Sequence, residues 1–367
     1  MRLLRYGSSE LRLKNGEHRG SDWVNWMSEV VHFVIPGSIE TLTGGFVYDR
    51  RIAQGLRRRG RRLEILELSG EPRVDQERIA SINAGHTLLV DGLALPKLES
   101  ALDATRHRLI ALIHHLEGAE PTCLEPDRIA ARDARILRRM HGIISASEHT
   151  RDQITELDLG LQPVRVVQPG SDPLHSRRGT RKHGTDRLRL ICIATITQRK
   201  GHDLLLDALN IADIRFSLEL LGAKRFEPEW AARIESRIRS WPRPDRITLR
   251  GPVDGATRAR VLSESDLFVL ASRYEGFGMA AVESIRAGVP VLCSRVGGLP
   301  EALAAGGASL VAAEPHIFAR ELARLADPVA RAKLQAEALV ASRSLPSWDD
   351  ACNAFENALV ELGAWCK

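Results

Sequence analysis

The chain is poor in aromatic residues, which make up 5% of it, and has no long apolar run. Each shortage excludes something. No stretch approaches the ~20 apolar residues needed to span a bilayer. The N-terminus, Met1-Arg-Leu-Leu-Arg-Tyr-Gly, has no apolar core of signal-peptide length and no cleavage pattern. The five cysteines, Cys123, Cys192, Cys293, Cys352 and Cys366, lack metal-ligand spacing. Cys192 and Cys293 fall in runs that read as buried strands, so reduced thiols and a cytoplasmic setting are expected. Charge of one sign is also scarce overall, at +5 net, but its distribution is uneven. Arginines crowd between Arg50 and Arg62. No aromatic residues are interleaved there to stack on bases, which argues against a nucleic-acid partner. The functional reading of this stretch is a basic helix face at an anionic membrane surface. The plainer one is a solvated face in an Arg-rich protein.

At 367 residues, with 44% hydrophobic and 27% charged residues, the chain suits a soluble globular protein of two domains. Short apolar runs alternate with helical periods, and the alternation occurs twice. His32–Ile35, Leu63–Leu68, Thr87–Asp91, Leu109–Ile113, the run from Gly142 and Val164–Val167 read as strands of a first unit. Leu188–Ala194, Leu218–Leu221, Ile247–Arg250, Leu267–Leu270, Val291–Cys293 and Ser309–Val311 read as strands of a second. The expected architecture is α/β, with two doubly wound Rossmann-like domains facing a cleft. Its boundaries are an extension at 1–27, a first domain at 28–172, a polar linker at 173–186, a second domain at 187–345, and a final helical segment at 346–367.

The most informative stretch is 266–301. Leu267–Leu270 reads as a buried strand, Glu275-Gly-Phe-Gly278 as a turn, and Met279–Ala287 as a helix stopped by Gly288-Val-Pro290. A Gly-rich turn entering a helix exposes unpaired N–H groups and the positive end of the dipole, which suits phosphate. Gly276 and Gly278 allow close backbone approach. A carboxylate beside bound phosphate is useful only where it accepts hydrogen bonds from hydroxyls. Glu275 and Glu283, flanking such a turn, therefore suggest hydroxyls on both sides of a diphosphate. The turn also fits the dinucleotide pattern G-x-G-x-x-A, but the next strand ends in Ser294-Arg-Val296 without the acid that pattern needs.

Three further places carry chemistry. Thr43-Gly44-Gly45 opens a helix and offers a second anion site. His114-His115 follows a strand, at the carboxyl edge of a parallel sheet where ligands bind. The sequence leaves open which of the two faces a site, and no third metal ligand lies at nearby spacing. Arg199-Lys200-Gly201 puts cations before a helix, against its dipole, so the cations need another reason such as a diphosphate.

Ser272-Arg-Tyr-Glu275-Gly-Phe-Gly278-Met-Ala-Ala-Val-Glu283, followed by Ala287-Gly-Val-Pro-Val291 and Gly297-Gly-Leu-Pro-Glu301, resembles the donor site of family 4 glycosyltransferases. These are retaining enzymes of the GT-B fold with a signature of two glutamates separated by seven residues. The resemblance extends over roughly 30–365. It includes the glycine loop at Gly44-Gly45, a His near the sugar, Lys200-Gly201, Gln168-Pro-Gly-Ser-Asp172 closing the first domain, and the Ser347-Trp348 start of a last helix crossing back to that domain. The family usually carries an Arg where Thr195 stands, with Arg199 as the candidate replacement.

The resemblance implies retaining transfer of a hexose from a GDP- or UDP-linked sugar to a glycan, lipid-linked or small-molecule acceptor. Glu275 would face the sugar, and Glu283 the ribose. Lys200, Arg199 and the N–H groups of Gly276, Phe277, Gly278 and Met279 would face the diphosphate. No Asp-x-Asp occurs, so metal-independent transfer without a bound cofactor is expected. A non-catalytic nucleotide-sugar-binding protein and a nucleotide-sugar 2-epimerase are the alternatives.

Overall fold

The computed structural model describes residues 30–103, 106–160, 162–172 and 187–365. The expected extension at 1–27, the linker at 173–186 and the end of the last helix at Cys366 lie outside them.

The first sheet contains β1 (Val31–Ile35), β2 (Leu63–Glu67), β3 (Thr87–Asp91), β4 (Arg108–Ile113), β5 (Gly142–Ser145) and β6 (Val164–Val166). Its order is β2-β1-β3-β4-β5-β6, all parallel. The second contains β7 (Leu188–Ile193), β8 (Phe216–Leu221), β9 (Ile247–Arg250), β10 (Leu267–Leu270), β11 (Val291–Ser294) and β12 (Ala308–Val311). Its order is β12-β11-β10-β7-β8-β9, again parallel. Strands covered on both faces are buried along their whole length and mostly apolar, as β1, β3 and β10 are. In each sheet the order reverses beside the first strand, between β1 and β3 and between β7 and β10. Loops leaving the carboxyl ends there diverge and open a crevice.

Two helices carry little sequence signal and were not expected. Pro72–Ala80 buries Ile79 as its one apolar contact, and Gly255–Glu264 buries Val261 and Leu262. The second starts where Asp254 Oδ1 accepts from Thr257 N at 2.7 Å. The helix that Thr43-Gly44-Gly45 opens begins at Gly44, because Thr43 already holds the extended geometry of a cap position.

The helix Trp348–Glu361 opens with a capping box, Ser347 with Asp350. Trp348, Cys352, Phe355 and Leu359 join Tyr48, Ile52 and Leu56 of the helix Gly44–Arg58 and Val31 and Phe33 of β1 in one core. The two helices touch so closely that a Cβ on Gly55 would lie 2.1 Å from Cys352 Sγ. A Cβ on Gly170 would likewise lie 2.4 Å from the Ser347 carbonyl oxygen. The arginines between Arg50 and Arg62 are drawn into this packing. Arg59 pairs with Asp349 and Glu356, and Arg61 pairs with Glu356 at 2.7 Å and lies over Trp365. Arg50 pairs with Glu40, and Arg51 with Asp172. The basic stretch thus serves largely to fasten neighbouring segments. No helix among the described residues is long and apolar enough to cross a membrane.

Gly55→Ala is expected to destabilise the protein by about 1–2 kcal/mol, the cost of overpacking less the small helix-propensity gain of alanine. Adding Cys352→Ala should recover much of the loss. Thermal unfolding of the single and double variants checks this; an unchanged midpoint for Gly55→Ala would contradict the packing.

Candidate active site

The two sheets face each other through the loops at their carboxyl ends, and glycine lets them meet. A Cβ on Gly276 would lie 2.2 Å from the carbonyl oxygen of His114, so the turn after β10 lies directly on the loop after β4. A Cβ on Gly45 would lie 3.2 Å from Cδ2 of the His114 ring, and one on Gly44 would lie 3.7 Å from Met279 Sδ. The candidate residues of both halves are therefore neighbours.

Gly201 sets up the centre of the site. It adopts φ +63, where a Cβ would meet the Ala271 carbonyl oxygen at 1.9 Å. That contact presses the turn Gln198–Lys200 onto the end of β10 and places Lys200 Nζ 2.6 and 2.7 Å from the two oxygens of Glu275. Ser272 Oγ donates to Glu275 Oε1 at 2.7 Å. Burial alone would raise the Glu275 carboxyl, but Lys200 and Arg199 outweigh it and hold Glu275 low and ionised. Burial and Arg199 pull the Lys200 ammonium down more than Glu275 restores it. With both carboxylate oxygens in contact, the ion pair is nonetheless the state that the geometry supports.

Arg199 reaches across the cleft. Its NH1 stands 4.0 Å from Glu275 and donates to the Tyr274 carbonyl at 3.3 Å. Its Nε lies 3.2 Å from Oε1 of Glu120 in the first domain, which His115 Nε2 also approaches at 2.8 Å. His114 faces elsewhere. Its Nε2 lies 2.9 Å from Asp49 Oδ1 and 3.2 Å from Asp91 Oδ2. Burial works to lower the His114 pKa, but these carboxylates reverse that and carry it to about 10. Burial, reinforced by Asp91, raises Asp49 to about 7. Both histidines are thus engaged at the cleft, each with its own acid.

Gly278, at φ +104, caps the helix Met279–Arg286, and a Cβ there would strike Leu299 Cδ2 at 2.4 Å. Phe277 is buried in the second core. Glu283 sits apart from the Lys200 pair, 3.3 Å from Arg258, and burial raises its pKa. The pair Gly297-Gly298 lies under the turn, and Gly298 N donates to the Glu275 carbonyl at 2.9 Å. Just beyond, Glu301 accepts from the backbone N–H groups of Glu148 and His149 at 2.9 and 3.1 Å. A carboxylate of the second domain therefore caps a helix of the first.

Sequence reasoning passed over Asp49, Asp91, Glu120 and Ser272. Asp91 carried a signal, being an acid that ends an apolar strand at the ligand-binding edge. Asp49 reads as the polar face of a helix, although only 1% of it is exposed. Glu120 offered no signal, since only folding brings it to Arg199.

The architecture is that of the GT-B glycosyltransferases. Sucrose-phosphate synthase from Thermosynechococcus elongatus superposes with a TM-score of 0.79 at 17% identity, over 92% of this chain and 99% of that one. HepE from Anabaena, solved with UDP and glucose, superposes at 0.72 and 15% identity, over 90% and 98%. Residues 187–327 match the family model of glycosyl transferases group 1. Among curated proteins, D-inositol 3-phosphate glycosyltransferase from Xylanimonas cellulosilytica is 27% identical over 271 residues, 67% of this chain and 64% of that protein. The matched segment thus spans less than two thirds of that relative's length. By sequence the second domain is thus similar to glycosyl transferases of group 1, and the architecture of the chain is the GT-B fold.

His202 adjoins the site and is 1% exposed. Burial, then the charge of Lys200, lowers its pKa to about 4. The unfolded chain takes up a proton near pH 6.5 and the folded chain does not, so stability falls as pH drops from 6.5 toward 4. At pH 5 this amounts to about 2 kcal/mol. Denaturant unfolding of His202→Gln should therefore show a shallower loss between pH 7 and 5 than the wild type, whereas parallel curves would refute the assignment.

Proposed function

We propose that the protein transfers a hexose from a GDP- or UDP-linked sugar to an acceptor hydroxyl, with retention at the anomeric carbon. The observation that carries this is the buried contact of Lys200 with Glu275 where the carboxyl edges of the two sheets meet. HepE holds UDP and glucose on the same architecture, which supports a nucleotide-sugar donor.

Breaking the glycosidic bond leaves negative charge on the diphosphate. Lys200, Arg199 and the N–H groups of the turn Gly276–Met279 neutralise it in a site shielded from water. No metal is needed at the diphosphate in this account. Lys200 then exchanges part of its hold on Glu275 for phosphate, and Glu275 accepts hydrogen bonds from sugar hydroxyls and stabilises oxocarbenium charge. Glu283 receives the ribose hydroxyls, drawn from Arg258. The Gly44-Gly45 turn and His114 close the site from the first domain. No covalent glutamate is invoked. The leaving phosphate assists the acceptor hydroxyl on the same face of the sugar, which gives retention. The acceptor is a glycan, a lipid-linked sugar or a small molecule, bound on the side of the first domain.

Incubation with UDP-glucose, GDP-mannose and ADP-glucose tests this reading. Transfer or slow donor hydrolysis supports it. An epimerised sugar would identify a 2-epimerase, and binding without turnover a nucleotide-sugar-binding protein. Lys200→Ala should lower turnover by at least about 100-fold, the usual cost of losing one group that stabilises developing charge. Since the substitution also leaves Glu275 buried without its cation, folding is checked separately by thermal unfolding. Near-normal turnover in the folded variant would remove Lys200 from the mechanism.

A further inference from the structure

Glu120 stands in the first domain, just after the short turn Glu117–Ala119, and one of its oxygens serves both halves of the cleft. Oε1 lies 2.8 Å from His115 Nε2, on its own domain, and 3.2 Å from Arg199 Nε, on the other. All three side chains are mostly buried, at 17% to 19% exposure. We propose that donor binding hands this oxygen over from Arg199 to a protonated His115, so that the pair Glu120–His115 takes up one proton from solvent as the diphosphate engages Arg199. Glu120 is then a positioning residue, which holds Arg199 at the cleft until the donor arrives. The inference rests on the reading that Arg199 and Lys200 meet the diphosphate of a nucleotide sugar.

Charge balance carries the argument. Lys200 and Arg199 face Glu275 and Glu120, two cations against two carboxylates. A diphosphate brings further negative charge into this balanced set, where burial leaves little water to screen it. Arg199 is held by Glu120 at 3.2 Å, by Glu275 at 4.0 Å and by the neutral Tyr274 carbonyl at 3.3 Å. None of these is a bidentate pairing, whereas phosphate matches the guanidinium fork. As Arg199 turns to phosphate, Oε1 keeps only one of its two donors, and that donor is His115.

His115 has the atoms for the exchange. Nε2 lies against a carboxylate oxygen and so carries the ring hydrogen of the neutral form; the added proton goes to Nδ1. In the free protein burial does most to lower the His115 pKa, the hydrogen bond to Glu120 opposes it, and Arg199 and the charged His114 add to the lowering. Burial works to raise the Glu120 carboxyl, but His115 and Arg199 outweigh it and keep it ionised. Tyr274, whose ring lies 6.1 Å from that of His115, is uncharged, its hydroxyl pushed up to about 12. Withdrawing Arg199 removes one influence that keeps His115 neutral and leaves Glu120, which favours the imidazolium. The pKa of His115 therefore rises on binding. Protons are taken up, and affinity grows as pH falls from the pKa of the complex toward that of the free protein.

Calorimetric titration of the full chain with UDP-glucose and with GDP-mannose, in buffers of different ionisation enthalpy, measures the protons exchanged. Neither donor has a group of its own that titrates near neutral pH. At pH 6.5 the wild type should take up about half a proton per site more than His115→Gln, and its affinity should be at least about threefold tighter at pH 6 than at pH 8. The difference from the variant is the quantity read, because Asp49 and Glu283 at the cleft also have raised pKa values. Glu120→Gln should lose the same uptake although its His115 is intact, which a merely structural role would not produce. Uptake that persists in folded His115→Gln or Glu120→Gln would overturn the proposal. Should the variants fold poorly, the wild type decides, since donor binding without net proton uptake would overturn it as well and leave the transferase reading standing. If neither donor binds, the transferase reading falls and the inference falls with it.

Discussion

The contact of Gly276 with the His114 carbonyl is the constraint on which the site depends. Neither sheet holds a complete set of chemical groups. The second supplies cations and the Gly-rich turn; the first supplies histidines, acids and its own glycine turn. They become one site only because the chain has no side chain at Gly276, Gly44 or Gly45. Glu301, Glu120 and Arg199 then tie the domains together around that approach with charged contacts, which can be exchanged without disturbing either core. Closure is thus built from polar groups at the rim and the two folds from apolar groups within.

The two walls of the cleft differ in electrical character. On the second domain, Lys200 and Arg199 meet a helix N-terminus, an arrangement that favours an anion. On the first, Asp49 and Asp91 hold the His114 ring in its charged form, a set of acceptors and a donor that suits hydroxyls. A donor carrying a diphosphate and an acceptor offering a hydroxyl would each find the wall that suits it.

Much of this could be read from the sequence, for a physical reason. Buried parallel strands are mostly apolar, so Val31–Ile35, Thr87–Asp91 and Leu267–Leu270 declare themselves. Glycine at Gly278 and Gly201 reports a left-handed backbone, a demand that is local. The weakly amphipathic helices Pro72–Ala80 and Gly255–Glu264 bury too little to leave a period. The partners of His114 escaped because Asp49 and Asp91 are distant in sequence and meet it only in the folded chain. The arginines near Arg57 misled for the same reason. Their counterions, Asp349 and Glu356, lie at the other end of the polypeptide.

That last pairing bears on how the molecule is made. Phe355, Cys352 and Trp348, with the rest of the segment up to Trp365, are interior residues of a core whose remaining buried members lie before residue 173. During synthesis the early domain therefore waits, with the apolar side of Tyr48, Ile52 and Leu56 uncovered, until the whole later domain has been translated. Through that interval it presents a sticky surface of the kind that holdase chaperones recognise. Synthesis of the helix Trp348–Glu361, rather than completion of the first sheet, is what allows this half of the protein to become fully native.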